Sequence, residues 1–234
     1  MARKMVLDQE AIRRVMYVAG AVALLALPLS HAADGKRATA KYPPKSAVKP
    51  ATIGESLVAA TGMPALKSAA ALVVDLNDGQ TIYGKNAQTV TPIASITKLM
   101  TAMVALDAAL PLDETLYIDS SDYDSLKHTN SRLRAGTGLQ RRDMLRLALM
   151  SSENRAAASL GRAYPGGADA FVAAMNRKAV ELGMWSTRFV DPTGLSSENV
   201  STAQDLVKMV KGAFQYPLIR EFTTAPAHEV ETAA

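Results

Sequence analysis

The chain has 234 residues, 48% hydrophobic and 21% charged, and this globular composition excludes a largely disordered protein. It has no cysteine, which excludes disulfides, thiolate nucleophiles and cysteine-ligated metals. Its three histidines lie far apart and form no His-x-x-x-His pair, so we expect no metal site. We also expect no cofactor, since Trp185 and the eleven methionines are interpreted as core or surface residues.

The positive charge is concentrated near the N-terminus. The formal net charge is +4, and residues 1–32 and 33–54 carry +2 and +4, which leaves −2 for residues 55–234. A nucleic-acid-binding domain concentrates positive charge on a folded face. We therefore expect no nucleic-acid partner.

Residues 1–32 have the pattern of a cleavable export signal. Arg13 and Arg14 precede an apolar run at 15–29, and small residues at Ser30 and Ala32 fit a cut after Ala32. The apolar run is shorter than the roughly 20 residues that cross a bilayer, so we expect no membrane span after cleavage. An uncleaved anchor remains the alternative.

Residues 33–54 are predicted to be an extended linker. They contain three prolines and five basic side chains but almost no large apolar residue. The globular domain is therefore assigned to residues 55–234.

The globular part is predicted to begin with a β-hairpin and a buried helix. An apolar run at 69–76, the turn signal Asn77-Asp78-Gly79 and a second run at 80–84 indicate the hairpin. Between Pro92 and Pro111, apolar residues recur at helical spacing.

The rest of the chain is predicted to be mainly helical. Residues 113–138 read as loops with one weak strand at 115–118. The further elements are helices at 141–150, 155–163 and 168–182, a strand at 187–190, a turn at 191–194 and a helix capped by Ser201 or Thr202. Two strands alone are marginal, and Val230 is placed to begin another, so we expect a sheet that is incomplete at the C-terminus.

Ser95 and Lys98 are the first candidates for chemistry. Their i, i+3 spacing at the start of the buried helix places hydroxyl and amine on one face. A lysine whose pKa is lowered by burial and nearby positive charge can activate a serine. The spacing alone is weak evidence, because Ser46 and Lys49 repeat it within the predicted linker.

A second candidate segment is Ser152-Glu153-Asn154, at the junction of two predicted helices. A hydroxyl and an amide can project into a cleft from such a junction. The same three residue types recur at Ser197-Glu198-Asn199, where turn and capping roles are favoured. From the residues alone, a capping role stays open for both segments.

Four ordered segments resemble the low-molecular-weight penicillin-binding proteins, which are D-Ala-D-Ala carboxypeptidases and endopeptidases. The segments are Thr-Pro-Ile-Ala-Ser-Ile-Thr-Lys-Leu-Met-Thr-Ala at 91–102, Leu-Met-Ser-Ser-Glu-Asn-Arg-Ala-Ala at 149–157, Asp-Pro-Thr-Gly-Leu-Ser at 191–196 and Ser-Thr-Ala at 201–203. The resemblance implies an α/β fold with α+β layers, in which an antiparallel sheet packs on a helical cluster.

The resemblance also implies roles for particular residues. Ser95 would be the acyl-ester nucleophile, with its backbone N–H an oxyanion donor, and Lys98 the proton acceptor. Ser152 would relay a proton to the leaving amine, and Asn154 would bind substrate and Lys98. The implied partners are the stem peptides and cross-links of peptidoglycan in the periplasm, with β-lactam antibiotics as covalent inhibitors. Similarity to the endopeptidases favours that activity over carboxypeptidase.

One family motif is missing from the sequence. Lys-Thr-Gly, which in the family lies on a strand that binds the substrate carboxylate, occurs nowhere in the 234 residues. We therefore expect residues 55–234 to be a partial catalytic domain of doubtful activity. The alternatives are a non-catalytic peptidoglycan-binding scaffold of the same fold and a class A β-lactamase, although the deacylating glutamate segment of the latter is not found.

Overall fold

The computed structural model describes residues 3–6, 21–22, 66–75, 77–225 and 229–232. These ranges contain two 3-10 turns, at Ala94–Ile96 and Ser120–Asp122. Their helices are α1 (Thr97–Asp107), α2 (Arg141–Met150), α3 (Asn154–Arg162), α4 (Gly167–Glu181), α5 (Ala203–Ala213) and α6 (Pro217–Thr224).

The strands are short and form small antiparallel sheets. They are β1 (Arg3–Val6), β2 (Ala21–Val22), β3 (Ala71–Val74), β4 (Thr81–Lys85), β5 (Thr91–Pro92), β6 (Thr115–Tyr117), β7 (Gly138–Gln140), β8 (Val200–Ser201) and β9 (Glu229–Thr232). The strand orders are β1-β9, β2-β3-β4, β5-β8 and β6-β7. A helical cluster with antiparallel sheets confirms the predicted fold class.

Helix α1 lies at the centre of the helical cluster and packs against all five other helices. Its buried residues face every direction: Thr97, Lys98, Met100, Thr101, Ala102, Met103, Val104 and Ala105. A surface helix buries one apolar stripe, whereas a helix that is buried on every side is enclosed by protein. Because α1 is enclosed, its first turn, which includes Lys98, lies in the interior of the protein.

The predicted hairpin is confirmed as β3 and β4, which pair with Leu72 opposite Gly84. Gly79 in its turn has a φ of 76°, a left-handed conformation that glycine adopts without strain. The predicted strand at 115–118 is also confirmed, as β6. Its partner β7 was not predicted because three residues carry too little pattern.

The predicted strand at 187–190 is wrong. Only Arg188 forms a β-bridge, with Val200. The side chain of Asn176 on α4 makes hydrogen bonds with both backbone groups of Phe189. It accepts from Phe189 N at 2.9 Å and donates to Phe189 O at 2.8 Å. Because a side chain satisfies the backbone of Phe189, strand pairing does not continue beyond the bridge at Arg188.

The two ends of the chain meet in the β1–β9 sheet, where Met5 pairs with Val230. A strand near Val230 is thereby confirmed, whereas α6 was not predicted. Strands β1 and β2 fall within the predicted export signal, which stays a prediction. The linker at 33–54 lies outside the described residues. No helix in the described part of the chain is long and apolar enough to cross a membrane.

Candidate active site

The 3-10 turn before α1 presents Ser95, and the first turn of α1 presents Lys98. The side chain of Ser95 is exposed, whereas Lys98 is only 2% exposed. Residues three apart on such a turn lie above one another, and Lys98 Nζ is 3.3 Å from Ser95 Oγ. The hydroxyl therefore faces solvent while the amine reaches it from inside the protein.

Two further acceptors surround the Lys98 amine. Lys98 Nζ donates to Asn154 Oδ1 at 2.7 Å and to the backbone oxygen of Thr193 at 2.7 Å. Asn154 is the first residue of α3, and Thr193 lies in the loop between α4 and β8. Three segments that are distant in sequence thus converge on one nitrogen.

The surroundings of Lys98 lower its pKa. Burial is the largest cause and lowers the pKa from 10.5 to about 8, because desolvation penalises the charged form. The carboxylates of Asp191 and Glu153 oppose this shift, and the positive charge of Lys127 adds to it. A substantial fraction of the amine is therefore neutral just above neutral pH.

The hydrogen bonds around Lys98 allow it to accept a proton from Ser95. A charged ammonium has three donors, and a neutral amine has two donors and one lone pair. Asn154 Oδ1 and Thr193 O can only accept, so both N–H groups of the neutral amine stay with them. The lone pair then faces the Ser95 hydroxyl, which is the geometry of a nucleophile and its general base.

The carboxylate of Asp191 shapes the loop that supplies the Thr193 oxygen. Asp191 Oδ1 accepts from Thr193 N, Thr193 Oγ1 and Gly194 N at 2.6, 2.6 and 2.7 Å. Its Oδ2 accepts from Ser196 N at 3.0 Å. Aspartate commonly bonds to the backbone that follows it in a turn. The predicted turn at 191–194 is thereby a hydrogen-bonded loop whose Thr193 carbonyl oxygen accepts from Lys98.

Asn199 fastens this loop to the start of α1. Its Oδ1 accepts from Val190 N at 2.7 Å, and its Nδ2 donates to Thr97 Oγ1 at 3.1 Å and to Asp191 O at 2.9 Å. The side chain is fully buried. The second Ser-Glu-Asn segment therefore has a structural role, in agreement with the turn interpretation.

Gly194 allows the loop to approach the nucleophile turn closely. Its φ is 80°, and a Cβ at this position would lie 1.9 Å from the backbone oxygen of Ala94. Ala94 itself has a φ of 46°, a left-handed conformation that is strained for alanine. Contact between the two backbones holds the residue next to Ser95 in place.

Ser152 lies at the junction of α2 and α3, two residues before Asn154. Its φ of 56° is left-handed, a conformation that is strained for residues other than glycine. Glu153 caps α3 by accepting from Arg155 N at 3.1 Å. The Ser152 hydroxyl has no hydrogen-bond partner among the described residues. Its predicted relay role thus stays a prediction, whereas Ser95, Lys98 and Asn154 are brought together.

The groups around Ser95 are not those of a typical metal site. Within the described ranges, no cluster of three or more histidine, aspartate or glutamate side chains is placed to hold a metal ion. The groups that converge on Ser95 are an amine, an amide and a backbone carbonyl. Their chemistry is that of proton transfer and hydrogen bonding.

Residues 57–234 match the family described as D-alanyl-D-alanine carboxypeptidase. The chain belongs to this family. A D-alanyl-D-alanine endopeptidase from Pseudomonas aeruginosa is 57% identical over 70% of this chain and 53% of its own length. Another from Escherichia coli is 54% identical over 75% of this chain and 57% of its own length. The chain thus spans little more than half the length of these curated relatives.

Solved structures agree with the family assignment. A variant of a Streptomyces DD-transpeptidase has a TM-score of 0.67 at 27% identity, over 72% of this chain and 69% of that chain. A D-alanyl-D-alanine carboxypeptidase from Mycobacterium tuberculosis has a TM-score of 0.61 at 31% identity, over 70% of this chain and 66% of that chain. The D-alanyl-D-alanine carboxypeptidase family therefore matches in fold as well as in sequence.

Not every residue that builds this site was predicted from the sequence to belong to it. Asp191 and Gly194 were predicted to lie in a turn and in one of the family-like segments, but neither was assigned a role in the site. The sequence could not indicate that the Thr193 carbonyl accepts from Lys98, because a residue of any type supplies a backbone oxygen. Thr129, which contacts Asn154, lies in a segment read only as loop.

We expect Gly194→Ala to destabilise the protein much more than Gly79→Ala. Both glycines are left-handed, so each substitution costs about 1–2 kcal/mol for the backbone. Only at position 194 does the added methyl meet backbone atoms, whereas nothing lies within 4 Å at position 79. Urea unfolding should show an additional loss of about 1–3 kcal/mol for Gly194→Ala. Equal losses would contradict the close approach to Ala94.

Proposed function

We propose that this protein is a serine DD-peptidase that hydrolyses D-alanyl peptide bonds in peptidoglycan through an acyl-enzyme on Ser95. The observation that carries the proposal is the contact of Lys98 Nζ with Ser95 Oγ at 3.3 Å, made by an amine with a pKa of about 8. Family membership and the relatives named D-alanyl-D-alanine endopeptidase support the substrate class. Those names favour cross-links over free stem peptides.

In the acylation step, Ser95 Oγ attacks the carbonyl carbon of a D-alanine while its proton passes to the neutral Lys98 amine. The new O–C bond gives a tetrahedral oxyanion, for which the Ser95 N–H is one donor. The C–N bond then breaks, and the proton moves from Lys98 to the leaving amine, with Ser152 as the relay. Proton transfer by positioned groups contributes roughly 10²–10⁴-fold to such steps.

In the deacylation step, water attacks the ester carbonyl. Lys98 is again neutral after the amine has left, so it can take a proton from this water. The ester bond breaks, Ser95 Oγ recovers a proton, and the peptide leaves as a carboxylate. Asn154 keeps the amine directed at the reacting oxygen throughout, and it also binds the substrate. A β-lactam would acylate Ser95 by the same first step.

We also propose that the protein acts in the periplasm after export. The basic and apolar pattern of residues 1–32 supports cleavage after Ala32, and residues 33–54 would then form an extended N-terminal segment ahead of the catalytic domain. N-terminal sequencing of the protein from its native host should give Ala33 as the first residue. A chain that begins at Met1 in a membrane fraction would instead support the uncleaved anchor.

Ser95→Ala should abolish covalent labelling by a fluorescent penicillin. The label requires the Ser95 oxygen as its attachment atom, and the matched variant Ser46→Ala in the other Ser-x-x-Lys pattern should label like the wild type. Gel fluorescence after denaturation measures the covalent product. Equal labelling of Ser95→Ala would overturn the assignment. No labelling of the wild type would favour the non-catalytic scaffold.

The rate of labelling should rise with pH and level off above a pKa of about 8. Only the neutral amine accepts a proton, so below that pKa the rate should fall about tenfold for each pH unit. The profile is measured from labelling reactions that are quenched at successive times at each pH. Unfolding measured at the same pH values is the control for loss of folded protein. A flat rate between about pH 6 and about pH 9 would exclude Lys98 as the base.

A further inference from the structure

The segment 124–129 lies beside the site and is organised by one carboxylate. Asp124 Oδ1 accepts from Leu126 N at 2.9 Å and from Lys127 N at 2.8 Å. Its Oδ2 accepts from Thr129 N at 2.9 Å and from Thr129 Oγ1 at 2.7 Å. The residues around Asp124 are mostly exposed, so burial contributes little to the shape of this segment. The carboxylate therefore sets the position of Thr129.

The segment is also anchored to the start of α3. The guanidinium of Arg155 lies 3.7 Å from the ring centroid of Tyr123 and donates to the backbone oxygen of Leu133. Tyr123 Oη accepts from Ala135 N at 2.9 Å. Stacking of this kind and these hydrogen bonds fix both flanks of the segment relative to α3. Thr129 is thus held within hydrogen-bonding distance of the Asn154 side chain.

A directed series of hydrogen bonds connects Asp124 to Lys98. Thr129 Oγ1 donates to Asp124 Oδ2, Asn154 Nδ2 donates to Thr129 Oγ1 at 3.0 Å, and Asn154 Oδ1 accepts from Lys98 Nζ at 2.7 Å. An ionised carboxylate can only accept, so the single proton of Thr129 is committed to Asp124. The Thr129 oxygen is then available only as an acceptor. This requires the NH₂ group of Asn154 to face Thr129 and its oxygen to face Lys98.

The charge on Asp124 is secure at neutral pH. Burial raises its pKa, but hydrogen bonds from Lys127, Thr129 and Leu126 outweigh this and hold the pKa well below its ordinary value. A carboxylate that stays ionised keeps the direction of the series fixed. The opposite orientation of the Asn154 amide would turn its NH₂ group toward the Lys98 amine, where two donors would meet.

We propose that Thr129 and Asp124 are positioning residues of the site, which set the orientation of the Asn154 amide so that its oxygen holds Lys98. Neither residue touches the reacting atoms, and each acts through Asn154. The orientation of the amide is independent of the proposed function. Only its consequence for acylation of Ser95 rests on that function.

The test compares Thr129→Val with Thr129→Ser in the full chain. Valine keeps the shape of threonine without the hydroxyl, whereas serine keeps the hydroxyl. The first readout is the NMR signal and hydrogen-exchange protection of the Asn154 side-chain amide. We expect Thr129→Val to shift the signal and remove its protection, and Thr129→Ser to restore both. The second readout is the penicillin labelling rate, which should fall about tenfold in Thr129→Val only.

Asp124→Asn and Asp119→Asn form a second matched pair. Asp119 caps the neighbouring 3-10 turn by accepting from Ser121 N at 2.8 Å, a role that asparagine also fills. Asp124→Asn leaves one oxygen where two accept four bonds, so it should alter the Asn154 amide as Thr129→Val does. Asp119→Asn should leave the amide unchanged. This pair keeps the test valid if Thr129→Val is poorly folded.

The outcomes separate this inference from the proposed function. An Asn154 amide that is unchanged in both Thr129→Val and Asp124→Asn would overturn the positioning role. Equal disturbance by Thr129→Ser and Thr129→Val would also overturn it, because the hydroxyl would then not matter. Absence of labelling in the wild type would count against the DD-peptidase function, while the amide signal would still decide the orientation.

Discussion

The buried amine of Lys98 is the constraint on which the arrangement of this protein depends. An ammonium in the interior is costly unless hydrogen bonds replace the lost water. Its acceptors come from the turn before α1, the first residue of α3 and the loop at Thr193. These segments must therefore be held in fixed positions relative to one another. The Asp191 carboxylate, the Asn199 side chain and the close approach of Gly194 to Ala94 hold them there.

The chemical nature of those acceptors explains why the amine can act as a base. Among the described residues, no carboxylate bonds directly to Lys98, and its acceptors are a hydroxyl, an amide and a backbone carbonyl. A direct ion pair would stabilise the charged form and raise the pKa. Neutral acceptors orient the amine and leave desolvation as the dominant effect. The carboxylates of Asp191 and Glu153 act only from a distance.

Much of the fold was predictable because it follows from local pattern. The hairpin, the buried helix after Pro92 and the three middle helices each carry a clear period, and their observed bounds differ from the prediction by a few residues. Elements with a weak pattern were missed, and one misleading pattern gave a strand that does not form. The three residues of β7 depend on pairing with β6, and the strand expected at 187–190 is replaced by side-chain bonds from Asn176.

The sequence by itself determined the residue types of the site and the family to which the chain belongs. Four ordered segments, at 91–102, 149–157, 191–196 and 201–203, carry that information in the identity and order of their side chains. Tertiary structure decided what those residues face: the burial of Lys98, the Thr193 carbonyl and the series from Asp124 through Thr129 to Asn154. The physical reason is that desolvation, backbone acceptors and amide orientation are properties of the assembled surroundings. No short segment carries them alone.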